Sequence, residues 1–174
     1  MKRVATVHCH GLAATRTLAS RWGAAAFRDS SVRRPLWIGL SGGLGAGKTT
    51  FVRAFVEAWC EAAGRACDEV SSPTFALVHA YDDGRLLHAD LYRLSGIGDT
   101  ETTGLWDHGP VVALIEWPER DPAVHARLDL VIEMSRGAAD APRDRVWRVR
   151  SASARGTRFW MALRRSRAVK RAAD

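Results

Sequence analysis

A glycine-rich loop, set between an apolar strand and an amphipathic helix, constrains this chain more than any other feature. Gly42–Thr49 reads G-G-L-G-A-G-K-T and fits the pattern G-x-x-x-x-G-K-[ST] throughout. Leu36–Leu40 before it is apolar enough for a buried strand, and Phe51, Phe55 and Trp59 after it recur at helical spacing. Glycines let successive backbone N–H groups face one anion, and the helix start adds the positive end of its dipole. The sequence therefore predicts a phosphate-binding loop.

The end of this loop carries two side chains with predicted chemistry. Lys48 would reach the outer phosphates of ATP as a point charge, and the Thr49 hydroxyl would ligate Mg²⁺. The alternative is a glycine-rich turn that only links strand and helix, and the matching context on both sides favours phosphate binding. The residues expected to contact the nucleotide are Gly42, Gly43, Leu44, Gly45, Ala46, Gly47, Lys48, Thr49 and Thr50.

Length and composition limit the fold class. The chain has 174 residues, of which 47% are hydrophobic and 26% charged, and this is the composition of one globular domain over residues 1–174. No apolar run approaches the ~18 residues of a membrane span. Cys9, Cys60 and Cys67 are odd in number and form no C-x-x-C pair, which argues against a disulfide framework and indicates a reducing, cytoplasmic setting.

Strand and helix patterns alternate along the chain, with a β-hairpin signal at Asp82–Arg85. The predicted strands are Val4–His8, Leu36–Leu40, Phe75–Tyr81, Leu86–Tyr92, Val111–Ile115, Leu128–Met134 and Val146–Arg150. The predicted helices are about Leu12–Phe27, the segment from the loop to Gly64, Asp99–Asp107 and Thr157–Ala173. This order favours an α/β fold, namely a P-loop NTPase-like three-layer domain with a mixed, partly parallel sheet and a β-hairpin insertion.

Two carboxylates are candidates to complete a catalytic site. Glu116 directly follows the apolar strand Val111–Ile115, and it would lie beside the loop as a metal ligand if that strand is parallel to the one before the loop. The alternative is an exposed acid in the turn before Pro118. Asp90 would lie on the polar face of its strand, where it could orient an attacking water or simply pair with Arg85 or Arg93.

Two further positions have structural explanations that the residues alone favour at least as strongly. Thr74 lies in Ser72–Thr74, after the helix, where a segment that senses the γ-phosphate often occurs. An ordinary Ser-Pro turn entering a strand would explain the same residues. Trp117 could stack near the nucleotide or near a partner, or it could be a core residue.

Several of these segments match one family in order and spacing. They are Gly42–Thr50, S-S-P-T-F-A-L-V at 71–78, H-A-D-L-Y-R-L at 88–94, E-x-x-G-L-x-D at 101–107 and E-W-P-E-R at 116–120. Over about residues 36–120 the chain resembles the bacterial TsaE (YjeE-type) family. These are small P-loop ATPases required to form threonylcarbamoyladenosine in tRNA.

The resemblance implies roles for particular residues. Thr49 and Glu116 would bind Mg²⁺, Asp90 would act near the γ-phosphate, Thr74 would belong to a switch segment, and Trp117 would lie by the nucleotide. With Lys48, the two carboxylates would form the catalytic group. The resemblance also implies partners, because TsaE-type proteins bind a complex of TsaD-type and TsaB-type proteins and support its repeated cycles through ATP turnover.

The chain departs from the family pattern in three places. Gly43 stands where an acid is common, and Ala14–Thr17 lacks the acid or glutamine that usually precedes a threonine in the first helix, which leaves the adenine contacts open. Residues 121–174 match poorly. Either Arg143 or Arg145 would take the part of an arginine that the family has in a late strand.

The basic residues are concentrated at the C-terminus. Residues 143–174 hold 11 lysines and arginines against two acids, a balance of +9, in a chain of net charge +7. This strand and helix could bind tRNA phosphates or an acidic partner surface. A solvated strand face followed by a charged helix end is the interpretation that the pattern favours.

Two other functions remain open from the sequence. A small P-loop kinase acting on a metabolite would need an arginine-rich lid, for which Arg120, Arg127 and Arg136 are available. A nucleotide-gated binding module would bind partners in the presence of ATP and hydrolyse it only incidentally.

Overall fold

The structure, a computed structural model, describes residues 4–29, 34–67, 77–94, 99–107 and 109–165. Within these ranges the chain forms one seven-stranded sheet and four α-helices, none of them long and apolar enough to cross a membrane. The strands are β1 (Val4–Cys9), β2 (Leu36–Ser41), β3 (Val78–Tyr81), β4 (Leu86–Asp90), β5 (Val112–Glu116), β6 (Leu130–Arg136) and β7 (Arg145–Ser151). The helices are α1 (Gly11–Arg28), α2 (Lys48–Ala63), α3 (Pro122–Arg127) and α4 (Ala154–Arg165).

The sheet runs in the order β1-β7-β6-β2-β5-β4-β3, so the strand before the loop lies at its centre. β2 is parallel to β5 and β6, and β4 is parallel to β5. The β1–β7, β6–β7 and β3–β4 pairs are antiparallel. The mixed, partly parallel sheet of the predicted α/β fold is confirmed, and the β3–β4 hairpin turns at Asp82–Arg85 as expected.

Each face of the sheet carries its own hydrophobic cluster. The larger cluster lies under α1, α2 and α4 and contains packed aromatic rings such as Trp22, Phe51 and Trp160. The smaller cluster includes Leu87 and Ile115 of the central strands and lies under α3. Burial of each large side chain contributes about 1.5–3 kcal/mol, so both faces resist any slip in strand register. This fixes which residues of β4 and β5 reach the loop.

The helix predicted at Asp99–Asp107 is wrong. The structure has a 3₁₀ helix at Asp99–Thr102 and turns after it. Gly104 has a φ of +75°, which a right-handed helix does not accommodate. The Thr100 hydroxyl donates to the Asp121 carboxylate, so the segment is fixed to the start of α3 instead.

Other boundaries differ by a few residues. α4 begins at Ala154, ahead of the predicted start, because Ser153 Oγ accepts a hydrogen bond from the Gly156 N–H at 3.1 Å. The predicted end of that helix and the first residues of the predicted strand Phe75–Tyr81 lie outside the described residues. The sequence analysis also missed α3, although Asp121 before a proline is a helix start signal and its Oδ1 accepts from the Ala123 N–H at 2.7 Å.

The prediction from the cysteine count is wrong for one pair, because Cys60 and Cys67 are joined by a disulfide. Gly64 ends α2 with a φ of +67°, and the chain then turns back so that the two Cα atoms lie 5.8 Å apart. Cysteine number and spacing carry no information about such a turn. Cys9 is a buried free thiol, and burial raises its pKa to about 12.

Thiol titration with a disulfide-exchange reagent is expected to distinguish these three cysteines. Folded protein without reductant should show no reactive thiol, because Cys9 is buried and the other two are bonded. Denaturation without reductant should expose one thiol, and denaturation after reduction should expose all three. Three reactive thiols on denaturation without reductant would contradict the bond.

Candidate functional site

The loop leaves β2 through three glycines in backbone conformations that favour glycine. Gly42, Gly45 and Gly47 have φ values of +132°, +72° and +103°. A Cβ atom on Gly42 would lie 2.1 Å from the carbonyl oxygen of Met134, so β6 also excludes a side chain there. The glycines of the motif therefore serve both the turn of the loop and its close contact with β6.

Helix α2 begins at this loop with backbone donors available. Gly47 is its N-cap, and the first helical bond runs from the Phe51 N–H to the Gly47 carbonyl at 2.9 Å. The N–H groups of Lys48, Thr49 and Thr50 precede that bond and have no partner within the helix. Free N–H groups and the positive dipole end of a 16-residue helix favour a phosphate at this position.

Lys48 lies at the bottom of the loop with 5% of its surface exposed. Its Nζ donates to the carbonyls of Gly42 at 2.6 Å and Gly43 at 3.0 Å, and it lies 3.8 Å from the ring centroid of Trp117. Burial lowers the pKa of Lys48, while neighbouring carboxylates, of which Glu116 is the strongest, act in the opposite direction. The ammonium group therefore lies where the loop and the helix start would receive an anion.

Parallel strand pairing brings both predicted carboxylates to this loop. Leu40 of β2 lies opposite Glu116 of β5, and Asp90 of β4 lies opposite the same Glu116. The carboxyl ends of three adjacent parallel strands thus meet where the loop begins, which is where open α/β sheets bind ligands. The condition on which the Glu116 prediction depended, that β2 and β5 are parallel, is met.

Glu116 is 2% exposed, so it is not the solvent-exposed turn residue of the alternative interpretation. Its Oε2 accepts from Thr49 Oγ1 at 3.1 Å, and its Oε1 lies 3.1 Å from Nε2 of the buried His88. A hydroxyl and a carboxylate side by side are oxygen ligands of the kind that Mg²⁺ takes. The residues present therefore fit the metal pair that the sequence predicts.

Asp90 lies on the same side of the sheet as Glu116, at the end of β4. Its Oδ1 accepts from the Tyr92 N–H at 3.0 Å, whereas Arg85 lies 3.0 Å from the carboxylate of Asp82. Burial raises the pKa of Asp90, and the hydrogen bond from Tyr92 acts against that rise. The free side of this carboxylate faces the same cavity as Lys48.

Lys48, Thr49, Asp90 and Glu116 line one open cavity of about 340 Å³. It is lined by Leu44, Gly45, Gly47, Lys48, Thr49, Thr50, Leu77, Asp90, Tyr92, Arg93, Glu116, Trp117 and Arg145. A second cavity of about 390 Å³ shares Gly47, Thr50 and Arg145 with the first and extends to Leu12 and Thr15 of α1. The two cavities therefore adjoin each other at the start of α2.

Trp117 lines the first cavity and also packs, partly buried, against the smaller hydrophobic cluster. Its φ of +57° is uncommon for a residue other than glycine. The ring contacts Lys48, as described above, and lies 5.0 Å from the ring of Tyr92, which is 40% exposed. The position is consistent with the predicted contact to a nucleotide.

Two arginines from the β6–β7 hairpin lie against the loop. Arg145 donates from Nη2 to the Gly45 carbonyl at 3.2 Å, and Arg136 is its partner in the strand register. A Cβ atom on Gly45 would lie 2.6 Å from Arg136 Nη2. Of the two arginines that the sequence left open, Arg145 therefore touches the loop, and Arg143 lines the second cavity.

Not every predicted position can be placed. Thr74, with the rest of Ser72–Thr74, lies outside the described residues. Gly43, the departure from the family pattern, has open space where a side chain would be. The sequence analysis assigned no role to His88, although its alternation with Asp90 on one strand face was the available signal.

This arrangement of a central parallel strand, a glycine-rich loop and a helix is that of P-loop α/β proteins. The chain belongs to the TsaE family, since the family model described as "Threonylcarbamoyl adenosine biosynthesis protein TsaE" matches residues 9–145. The resemblance inferred from the motifs is thereby confirmed.

Individual relatives agree with this assignment. The tRNA threonylcarbamoyladenosine biosynthesis protein TsaE of Aquifex aeolicus is 41% identical over 95 residues, which cover 53% of this chain and 65% of that protein. The protein of the same name from Bacillus subtilis is 39% identical over 101 residues, covering 54% and 59%. The matches thus span about three fifths of these relatives' length. The crystal structure of Bacillus subtilis YdiB superposes with a TM-score of 0.65 at 25% identity, covering 95% of this chain and 97% of that one.

Proposed function

We propose that this protein is a cytoplasmic, Mg²⁺-dependent ATP-binding and ATP-hydrolysing accessory protein for threonylcarbamoyladenosine modification of tRNA. The observation that carries the proposal is that Lys48, Thr49, Glu116 and Asp90 converge in one cavity at the start of α2. Family membership supports the pathway, and the convergence supports the chemistry.

The loop and helix start would bind the phosphates of ATP. The N–H groups of Lys48, Thr49 and Thr50 would donate to phosphate oxygens, and the Lys48 ammonium would leave its loop carbonyls to meet the outer phosphates. The nucleoside would extend toward the second cavity, beside Thr15 and Arg143. ATP is therefore expected to bridge the two adjoining cavities.

Thr49 and Glu116 would hold Mg²⁺ through the oxygens that now share a hydrogen bond. When bound, the metal supplies the positive charge that offsets charge on the β- and γ-phosphates. Asp90 is free to accept a proton from the attacking water, and its raised pKa suits a general base better than that of an ordinary surface aspartate. Trp117 and Tyr92 would close the wall beside these groups.

Partners of the TsaD and TsaB type follow from the family assignment as part of the proposal. Tyr92, Leu44 and Arg93 are exposed or partly exposed at the mouth of the cavity, so a bound partner would touch the nucleotide site directly. Partner binding is therefore expected to change the rate of hydrolysis.

ATP hydrolysis by the purified protein tests the proposal. With Mg²⁺ we expect slow turnover that changes markedly when TsaD-type and TsaB-type proteins from the same organism are added, and none in excess chelator. Turnover indifferent to both partners would contradict the accessory role, while absence of ATP binding under every condition would contradict the nucleotide site itself.

A metabolite kinase is the alternative, and its proposed lid is only partly at the site. Arg136 lies against the loop and Arg120 lies 5.7 Å from the ring of Tyr92, which lines the cavity. Arg127, however, stacks on Trp106, which packs against the cluster on the other face of the sheet. Transfer of labelled γ-phosphate to a small molecule in a cell extract, instead of release as inorganic phosphate, would favour the kinase.

Contact with tRNA through the basic C-terminal region remains a weaker proposal. Arg148 is exposed on β7, and Arg150 lies 3.4 Å from Glu133 on the neighbouring strand. This pattern supports a solvated strand face at least as well as a nucleic-acid surface.

A further inference from the structure

His88 is completely buried beneath the candidate metal site. It lies on β4 two residues before Asp90, on the sheet face that α2 covers, and its Nε2 is 3.1 Å from Glu116 Oε1. The other oxygen of Glu116 accepts from Thr49. The carboxylate is therefore fixed from two sides, by a hydroxyl toward the loop and by an imidazole from the core.

The hydrogen bonds assign the tautomer of His88. Glu116 as a carboxylate only accepts, so the proton of the shared bond belongs to His88 Nε2. Nδ1 of His88 is buried and has no hydrogen-bond partner among the residues that the structure describes. Nε2 is therefore the nitrogen that donates to Glu116.

Fold stability alone does not account for a histidine at this position. On this face of β4 and β5, Leu86, Val112 and Leu114 are apolar, and Asp90 and Glu116 follow at the carboxyl ends of the strands. A leucine there would avoid the buried Nδ1 that has no partner in the described chain, but it would leave Oε1 of the buried Glu116 without its donor. The polar side chain is explained by what its other nitrogen does, which is to hold Glu116.

We infer that His88 is a positioning residue for a divalent cation, acting through Glu116. This inference rests on the proposed function, because it needs a metal at Thr49 and Glu116. By holding Oε1, His88 stops the carboxylate from rotating and leaves the Oε2 edge, beside Thr49, directed at the cavity. Groups that orient a metal ligand in this way typically contribute about 10- to 100-fold to metal affinity.

The experiment compares His88→Leu and His88→Gln with the wild type. Leucine fills the site without a donor, while the Gln amide nitrogen can replace Nε2 as a donor to Glu116. The readout is the binding of Mn²⁺, followed by electron paramagnetic resonance, to protein saturated with a non-hydrolysable ATP analogue. We expect the Mn²⁺ dissociation constant to rise about 10- to 100-fold in His88→Leu and to stay within about threefold in His88→Gln.

Two further variants make the comparison independent of folding. His79 lies opposite His88 on β3, so His79→Leu makes the same chemical change one strand farther from Glu116 and should leave Mn²⁺ affinity unchanged. If His88→Leu fails to fold, His88→Asn replaces it. The shorter Asn amide cannot reach Glu116 from the same backbone, so Asn should lose affinity where Gln keeps it.

The outcomes separate this inference from the proposed function. Wild-type Mn²⁺ affinity in His88→Leu, or equal losses in the Gln and Asn variants, would overturn the positioning role while leaving the nucleotide site intact. Wild-type protein that binds the ATP analogue but takes up no Mn²⁺ would overturn both this inference and the Mg²⁺ requirement. Metal-free binding of the analogue should be the same in every variant, because His88 does not line the cavity.

Discussion

Replacing Lys48 with alanine is expected to abolish measurable Mg²⁺-ATP binding and to lower turnover by about 100- to 1,000-fold. Lys48 Nζ is buried at the point where the helix start and the loop would receive the phosphates. Its charge is worth more there than at the surface, because the cavity floor is shielded from water. Equilibrium binding of a fluorescent ATP analogue, followed by a hydrolysis assay, measures both effects.

Arg148→Ala is the matched control for Lys48→Ala. It removes the same charge from an exposed position on β7, away from the residues that line the cavity. Thermal unfolding of both variants shows whether the fold survives. A folded Lys48→Ala protein that binds the analogue within about threefold of wild type would contradict the phosphate-binding role of the loop.

The phosphate loop could be read from the sequence because its determinants are local. Gly42 and Gly47 adopt backbone conformations that glycine takes readily, and the apolar residues that follow recur at helical spacing. Even the end of α2 at Gly64 is a property of one residue, since glycine readily takes the left-handed conformation found there. Local chemistry of this kind needs no knowledge of the rest of the fold.

The positions of Glu116 and Asp90 beside the loop depend on long-range strand pairing, and the sequence predicted these two positions unequally well. Glu116 was a conditional prediction that required β5 to run parallel to β2, which the strand register now satisfies. Asp90 was left near even, because a strand pattern does not say which strand lies next to it. Pairing of β4 with β5 places Asp90 opposite Glu116, and no local signal contains that information.

The misses have the same physical origin. The helix predicted over 99–107 is wrong because Thr100 is bound to Asp121, a contact between distant parts of the chain, and Gly104 turns the backbone. The disulfide between Cys60 and Cys67 depends on the path of the chain after α2. His88 stands in the H-A-D-L-Y-R-L motif, but its hydrogen bond to Glu116 joins two strands through residues that are 28 apart in sequence.

Glu116→Gln is expected to lower Mg²⁺-dependent turnover by about 100- to 1,000-fold while leaving metal-free nucleotide binding unchanged. The amide keeps the shape of the side chain but removes its charge. It also removes one of the two acceptor oxygens, of which one now binds Thr49 and the other His88. Because a buried carboxylate is costly to desolvate, the neutral variant should be at least as stable to thermal unfolding as the wild type. Glu116→Ala should lose turnover equally but should also unfold more readily, since it leaves two donors unpaired.

Asp90→Asn is compared with Glu116→Gln to distinguish a general base from a metal ligand. Asp90 shares no hydrogen bond with Thr49 or His88 in the structure, and its own partner is the Tyr92 N–H. Its loss should therefore lower the maximal rate without changing the Mg²⁺ concentration that gives half of that rate, whereas Glu116→Gln should raise that concentration. If both variants changed the Mg²⁺ dependence equally, the assignment of Glu116 as metal ligand and Asp90 as general base would be wrong. If neither lowered turnover, hydrolysis would not take place at this site, whatever the loop binds.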